Sequence, residues 1–70
     1  MKYNINEHAR AFLAEHLPAA LDAESSYAAL KMLYELIDEN GFDAPKYEKL
    51  NAFGLEADEV YDEIYELNIQ

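Results

Sequence analysis

Six carboxylates crowd one stretch of this 70-residue chain: Glu56, Asp58, Glu59, Asp62, Glu63 and Glu66. No Lys or Arg follows Lys49. On a helix the six fall into two adjacent rows. Glu56, Glu59, Glu63 and Glu66 make one, and Asp58 and Asp62 the other. Each step of three or four residues advances about 5 Å along the axis. Such a rod is a rough imitation of a phosphate backbone, whose rise per strand is about 3.4 Å, so its complement is a basic protein surface. Tyr61 and Tyr65 sit between the rows and could receive arginine by cation–π contact; packing at the core edge would serve them equally well. Six like-charge pairs at three- or four-residue spacing (56/59, 59/62, 63/66, 58/62, 59/63 and 62/66) work against the helix, at roughly 0.2–0.5 kcal/mol each. The helix dipole offsets part of this for Glu56, Asp58 and Glu59 if the helix starts near residue 56. Solubility is the competing explanation for the acidity. A small domain, however, usually carries a net charge of about 2–8 in magnitude with both signs mixed, whereas this chain carries −10 and segregates it.

The other reactive side chains form no catalytic or ligating motif. His8 and His16 stand eight residues apart, not the four that put two zinc ligands on one helix face. Asp38-Glu39-Asn40-Gly41-Phe42-Asp43 resembles half of a calcium loop, but with Gly41 at the sixth position the first and twelfth are Leu36 and Tyr47, and neither is a carboxylate. Ser25 and Ser26 lie where serine caps a helix, with no Gly-x-Ser-x-Gly elbow around them. Two glycines cannot make a phosphate-cradling loop. Carboxylates on open helix faces are not an acid–base pair, which needs a pocket to drive two pKa values apart. The expectation is a protein that is not an enzyme and has no catalytic residue, metal or cofactor.

The elements that position these residues are helical. Ile5, Ala9, Phe12, Leu13 and Leu17 share a face over residues 5 to 17, with Asn4 or Asn6 as cap and Asn4 with Glu7 as a capping box. Pro18 ends that segment and starts a short turn to Leu21. Tyr27, Leu30, Leu33, Tyr34 and Ile37 stripe a central helix over 23 to 39, capped by Asp22, Ser25 or Ser26. Asn40-Gly41 stops it, with Phe42 folding back as in a Schellman cap. A short helix over 45 to 53 begins at Pro45, turns Tyr47, Leu50 and Phe53 inward, and closes at Gly54. The acidic helix runs from 56 to 67 on Ala57, Val60, Ile64 and Leu67. The chain is therefore read as one all-α domain over residues 1–70, with three main helices and a short one. Its core comprises Leu21 and Phe42 together with the large apolar residues of these stripes. Alternation at both ends (Tyr3 and Ile5; Tyr65, Leu67 and Ile69) leaves open a minor pairing of the termini as strands.

Composition narrows the function further. With 15 acidic and five basic residues, direct binding to nucleic acid or to an anionic membrane is disfavoured. A helix-turn-helix reading fails because its recognition helix would hold six carboxylates and no cation. Half the residues are hydrophobic (51%), and six Tyr and three Phe can seed a core, so this is no disordered acidic tail. No apolar run suits a membrane span or signal peptide, and the expected location is cytoplasmic. In size, in charge and in the run Glu56 to Glu66, the chain resembles phage-encoded nucleic-acid mimics, the anti-restriction and anti-CRISPR inhibitors. That resemblance implies an inhibitor that occupies the nucleic-acid groove of a basic partner, and a net charge of −10, which repels a like copy, implies a monomer. The alternative is a helical structural or regulatory module with an apolar contact, such as a homodimer, whose acidity serves only solubility.

Overall fold

The computed structural model describes residues 2–43 and 49–69. It holds α1 (Glu7–His16), a 3-10 turn (Pro18–Asp22), α2 (Ser26–Asn40) and α3 (Ala52–Asn68). There is no strand among the described residues, only an isolated antiparallel bridge between Phe42 and Leu50. Each helix starts on a polar side chain that accepts an otherwise unpaired backbone N–H. Asn6 accepts from Ala9, Ser25 from Ala28 and Asn51 from Gly54.

The helices bury most of the stripes that their periodicity marks out, but Tyr27 and Tyr34 of the α2 stripe are 77% and 62% exposed and face solvent instead. Phe12 and Leu13 on α1, Leu30, Leu33 and Ile37 on α2, and Val60 and Ile64 on α3 form the core. Alanines let the elements approach: Ala9, Ala20, Ala29 and Ala57 are fully buried. Ile5, Leu17, Leu21, Phe42, Leu50 and Phe53 pack around this centre half-buried. Tyr3 joins the core as well, donating its hydroxyl to the Ala20 carbonyl at 2.7 Å. Burial pushes its phenol above the ordinary value. α3 packs against both α1 and α2, while α1 and α2 are joined through the 3-10 turn.

Several expectations are corrected. The short helix over 45 to 53 does not extend through its described part. Residues 49–51 are non-helical, Asn51 is the α3 cap, and Ala52 and Phe53 belong to α3; positions 45–48 lie outside the described residues. Gly54 is therefore an interior helical residue, not a terminator. Gly41 does follow the end of α2, but at φ −87° and ψ −1° it is right-handed, so no Schellman cap forms. Both glycines serve a close approach. A Cβ on Gly54 would strike the Gly41 carbonyl oxygen and lie 2.9 Å from both the Gly41 Cα and Leu50 Cδ2. Asn51 fastens this corner, donating to the Asn40 carbonyl at 3.1 Å and to Asp43 at 3.0 Å, and the Asn51 N–H donates to the Gly41 carbonyl at 2.7 Å.

The two ends of the fold meet, though not as strands. The Asn68 side chain accepts from the Asn4 N–H at 2.9 Å and donates to the Asn4 carbonyl at 2.8 Å, and Asn4 Nδ2 reaches the Leu67 carbonyl at 3.2 Å. Asn4 thus bonds across the fold and not within a capping box. Leu67, expected in the core, is 44% exposed, because Ile64 and Asn68 already fill the inward side of that last turn.

Candidate functional site: the carboxylate ridge and its two flanks

α3 begins at Ala52, four residues earlier than the acidic stripe suggests, so its first turn holds no acidic residue. The dipole support expected for Glu56, Asp58 and Glu59 is lost, since that effect fades within one turn. The 17-residue helix carries all six carboxylates and no Lys or Arg. With Ala57, Val60 and Ile64 turned inward, helical geometry sends Leu55, Glu59, Asp62 and Glu66 directly outward. All four are exposed. Glu59 to Glu66 spans roughly 10 Å of axis.

The other acidic residues fall to the two flanks, and Asp62 stands where the outward face borders the α2 flank. Toward α1, Glu63 and Glu56 meet His8, in the first turn of that helix. His8 Nδ1 lies 2.9 and 3.0 Å from the two oxygens of Glu63, and Nε2 lies 3.4 Å from Glu56. A protonated imidazole donates from both nitrogens, so the pair favours imidazolium. The hydrogen bond to Glu63 and then the charge of that carboxylate push His8 above its ordinary 6.5; partial burial opposes this and Glu56 adds a smaller push upward. These two pairs are the only ion pairs of α3 carboxylates among the described residues. No spacing in the chain foretells them, because His8 and Glu63 stand 55 residues apart. One imidazole nitrogen and one oxygen each of Glu59 and Glu63 also lie within 4.8 Å of one another, a donor set that a divalent cation could accept.

Toward α2, Asp58 and Asp62 rim a hollow of about 370 Å³. Its apolar lining is Ile37, Phe42 and Leu50, and Tyr34 and Tyr61 stand beside it. A second hollow of about 340 Å³ continues from the same two tyrosines, with Tyr27, Tyr65, Leu30 and Lys31. Tyr61 is half-buried against the core, while Tyr65 is 52% exposed. Neither lies between the carboxylate rows as expected. At 3.6 residues per turn both fall beyond Asp58 and Asp62, on the α2 side. His16, the other histidine, lies against Phe12 and Phe53 with ring centroids 4.7 and 5.0 Å away.

Two measurements follow from this geometry. His8 has its folded pKa raised, so its stabilisation is complete below the unfolded value of 6.5 and is lost as pH climbs through the folded value. The melting-temperature difference between the native chain and His8→Gln should therefore be largest below the unfolded value of 6.5 and shrink as the pH rises above it. A difference that does not change with pH would show that the contact carries no proton linkage. Second, with His8 neutral, the melting temperature should rise between about 0.01 and 0.5 M NaCl, as the Debye length falls from about 30 Å to a few ångströms and the six repulsive pairs are screened. A flat or falling curve would mean that the acidic rows are already neutralised within the fold.

Comparison with protein families, curated protein sequences and solved structures finds no match to this chain.

Proposed function

We propose that this chain is a non-enzymatic acidic inhibitor that binds a basic, nucleic-acid-binding protein and occupies the site of its nucleic acid. The observation that supports this most is the concentration of charge: six carboxylates and no cation on one helix, with Glu59, Asp62 and Glu66 fully outward. A groove built for phosphates is lined with Lys and Arg, and a rigid negative ridge enters it without unfolding or induced order. Its charge also steers the encounter, so the benefit falls mainly on the association rate. No helix among the described residues is long and apolar enough to cross a membrane, and a cytoplasmic location goes with this reading.

The test is competition. The immobilised chain should capture nucleic-acid-binding proteins from a bacterial lysate, and duplex DNA or RNA that fills the captured protein's own site should release it. A captured partner that stays bound while its nucleic-acid site is saturated would defeat the mimicry reading.

The second reading, an apolar interaction module, is favoured by Leu55, Leu67 and Ile69, which are 59%, 44% and 49% exposed on α3 or just beyond it. Sedimentation over a range of concentrations separates the two. A monomer throughout fits the ridge, because a net charge of −10 repels a second copy. A dimer that persists at low salt, where that repulsion is greatest, fits the apolar contact.

A further inference from the structure

We infer that the hollow between α2 and α3 rimmed by Asp58 and Asp62 is a receptor for one arginine side chain of the basic partner, an inference that rests on the acidic-inhibitor reading above. Its chemistry is graded. The inner lining of Ile37, Phe42 and Leu50 is apolar, two tyrosines stand beside it, and the rim is two carboxylates one helical turn apart. Among the described residues neither Asp58 nor Asp62 makes an ion pair or side-chain hydrogen bond. The complement is a group that is apolar along its stem and cationic at its tip.

Arginine fits this better than lysine. Its methylenes can lie on the apolar lining, its flat guanidinium can stack on tyrosine, and its five fixed donors can reach two carboxylates at once. The ammonium of lysine is a compact, strongly hydrated point charge that does not stack. The volume of about 370 Å³ stands at the small end of ligand sites, which span about 300–1,000 Å³, so it suits a single side chain. Lys31 lines the adjoining tyrosine hollow, and its charge disfavours a second cation there. The rim of Asp58 and Asp62 is left as the open seat. Free arginine is a poor occupant, because its own carboxylate would approach a surface of net charge −10. An arginine within a protein segment brings no such charge.

The experiment is a two-dimensional ¹⁵N–¹H NMR titration of the full chain with three capped peptides: a hexapeptide alternating Arg and Ser, and its Lys and citrulline counterparts. The arginine peptide should give saturable shifts at Tyr34, Asp58, Tyr61 and Asp62, the lysine peptide should bind several-fold more weakly, and citrulline should not bind. Asp58→Asn with Asp62→Asn should weaken the arginine peptide about tenfold and erase its advantage over lysine. Glu59→Gln with Glu66→Gln, which removes the same charge from the ridge, should weaken both peptides alike and preserve the advantage. If arginine and lysine peptides bind equally and shift Glu59 and Glu66 but not Tyr34, Asp58 or Tyr61, the receptor is refuted while the acidic ridge stands. If the arginine peptide seats in the hollow but no captured partner is displaced by nucleic acid, the receptor stands and the mimicry is refuted. Concentration-dependent broadening of the same signals without peptide would give the hollow to a second copy and overturn the inference.

Discussion

Gly54→Ala should lower the melting temperature by roughly 5–15 °C, reversing the usual effect of that substitution. In an unconstrained helix interior, alanine is favoured over glycine by about 0.8–1 kcal/mol. Here the added methyl would be driven into the Gly41 carbonyl, with the Gly41 Cα and Leu50 Cδ2 each 2.9 Å away. Leu50 can rotate, but the backbone of Gly41 cannot, because its N–H is bonded to Ile37 at 2.7 Å and its carbonyl to Asn51 at 2.7 Å. Overpacking of this kind costs about 1–3 kcal/mol, and more where backbone meets backbone. A net loss of about 1–2 kcal/mol, at about 4–8 °C per kcal/mol for a domain of this size, gives the stated shift. The margin is thin, since small single cores rarely supply more than about 3–5 kcal/mol. An unchanged or higher melting temperature would show that α2 and α3 cross with more room than the two glycines allow.

Removing the ridge charge should move stability and binding in opposite directions. Glu59→Gln, Asp62→Asn and Glu66→Gln together break all six like-charge pairs on α3, worth about 1–3 kcal/mol of repulsion. The melting temperature at low salt should rise. Glu63 is left intact because it holds His8 at 2.9 Å, and its loss would confound a binding defect with a loosened α1. The basic partner should bind roughly ten- to hundredfold more weakly, mainly through slower association, since three exposed charge contacts contribute up to about 1 kcal/mol each. Removing an equal charge at Glu7, Asp22 and Glu24, all exposed and none of them on α3, should matter much less. Equal damage from both sets would mean that net charge, not the ridge, drives binding. No damage from either would return the acidity to solubility.

The three long helices were legible because their apolar residues recur at the helical period: Phe12 with Leu13, Leu30 with Leu33 and Ile37, Val60 with Ile64. What escaped depends on contacts between distant positions. Gly54 reads as a stop because glycine is a poor helix former, and nothing local shows that it faces Gly41. Asn51 looks like any loop residue until Asn40, Asp43 and Gly54 converge on it. Ala9 and Ala57 stand in their stripes, whereas Tyr3 and Ala20 lie outside any long helix, and solitary residues leave no stripe to read. At the site, the outward direction of Glu59, Asp62 and Glu66 follows from periodicity alone. The engagement of Glu56 and Glu63 by His8, and the seating of Asp58 beside Tyr34, depend on which helices become neighbours.

The arrangement of the helices also bears on how the chain is made. α3 follows the others in synthesis, yet it is the helix that packs on both α1 and α2. Before it emerges from the ribosome, a 10-residue α1 and a 15-residue α2 are bridged only by the 3-10 turn with Ala20 and Leu21. Helices of that length are marginal in water on their own, and the apolar faces of Phe12, Leu33 and Ile37 have no cover. Val60 and Ile64 supply it from far along the chain, so a closure entropy must be met before the contacts repay it. The helix that covers these faces is thus also the one that carries six carboxylates and no cation, so cover for the apolar surface and charge that repels a like copy arrive together.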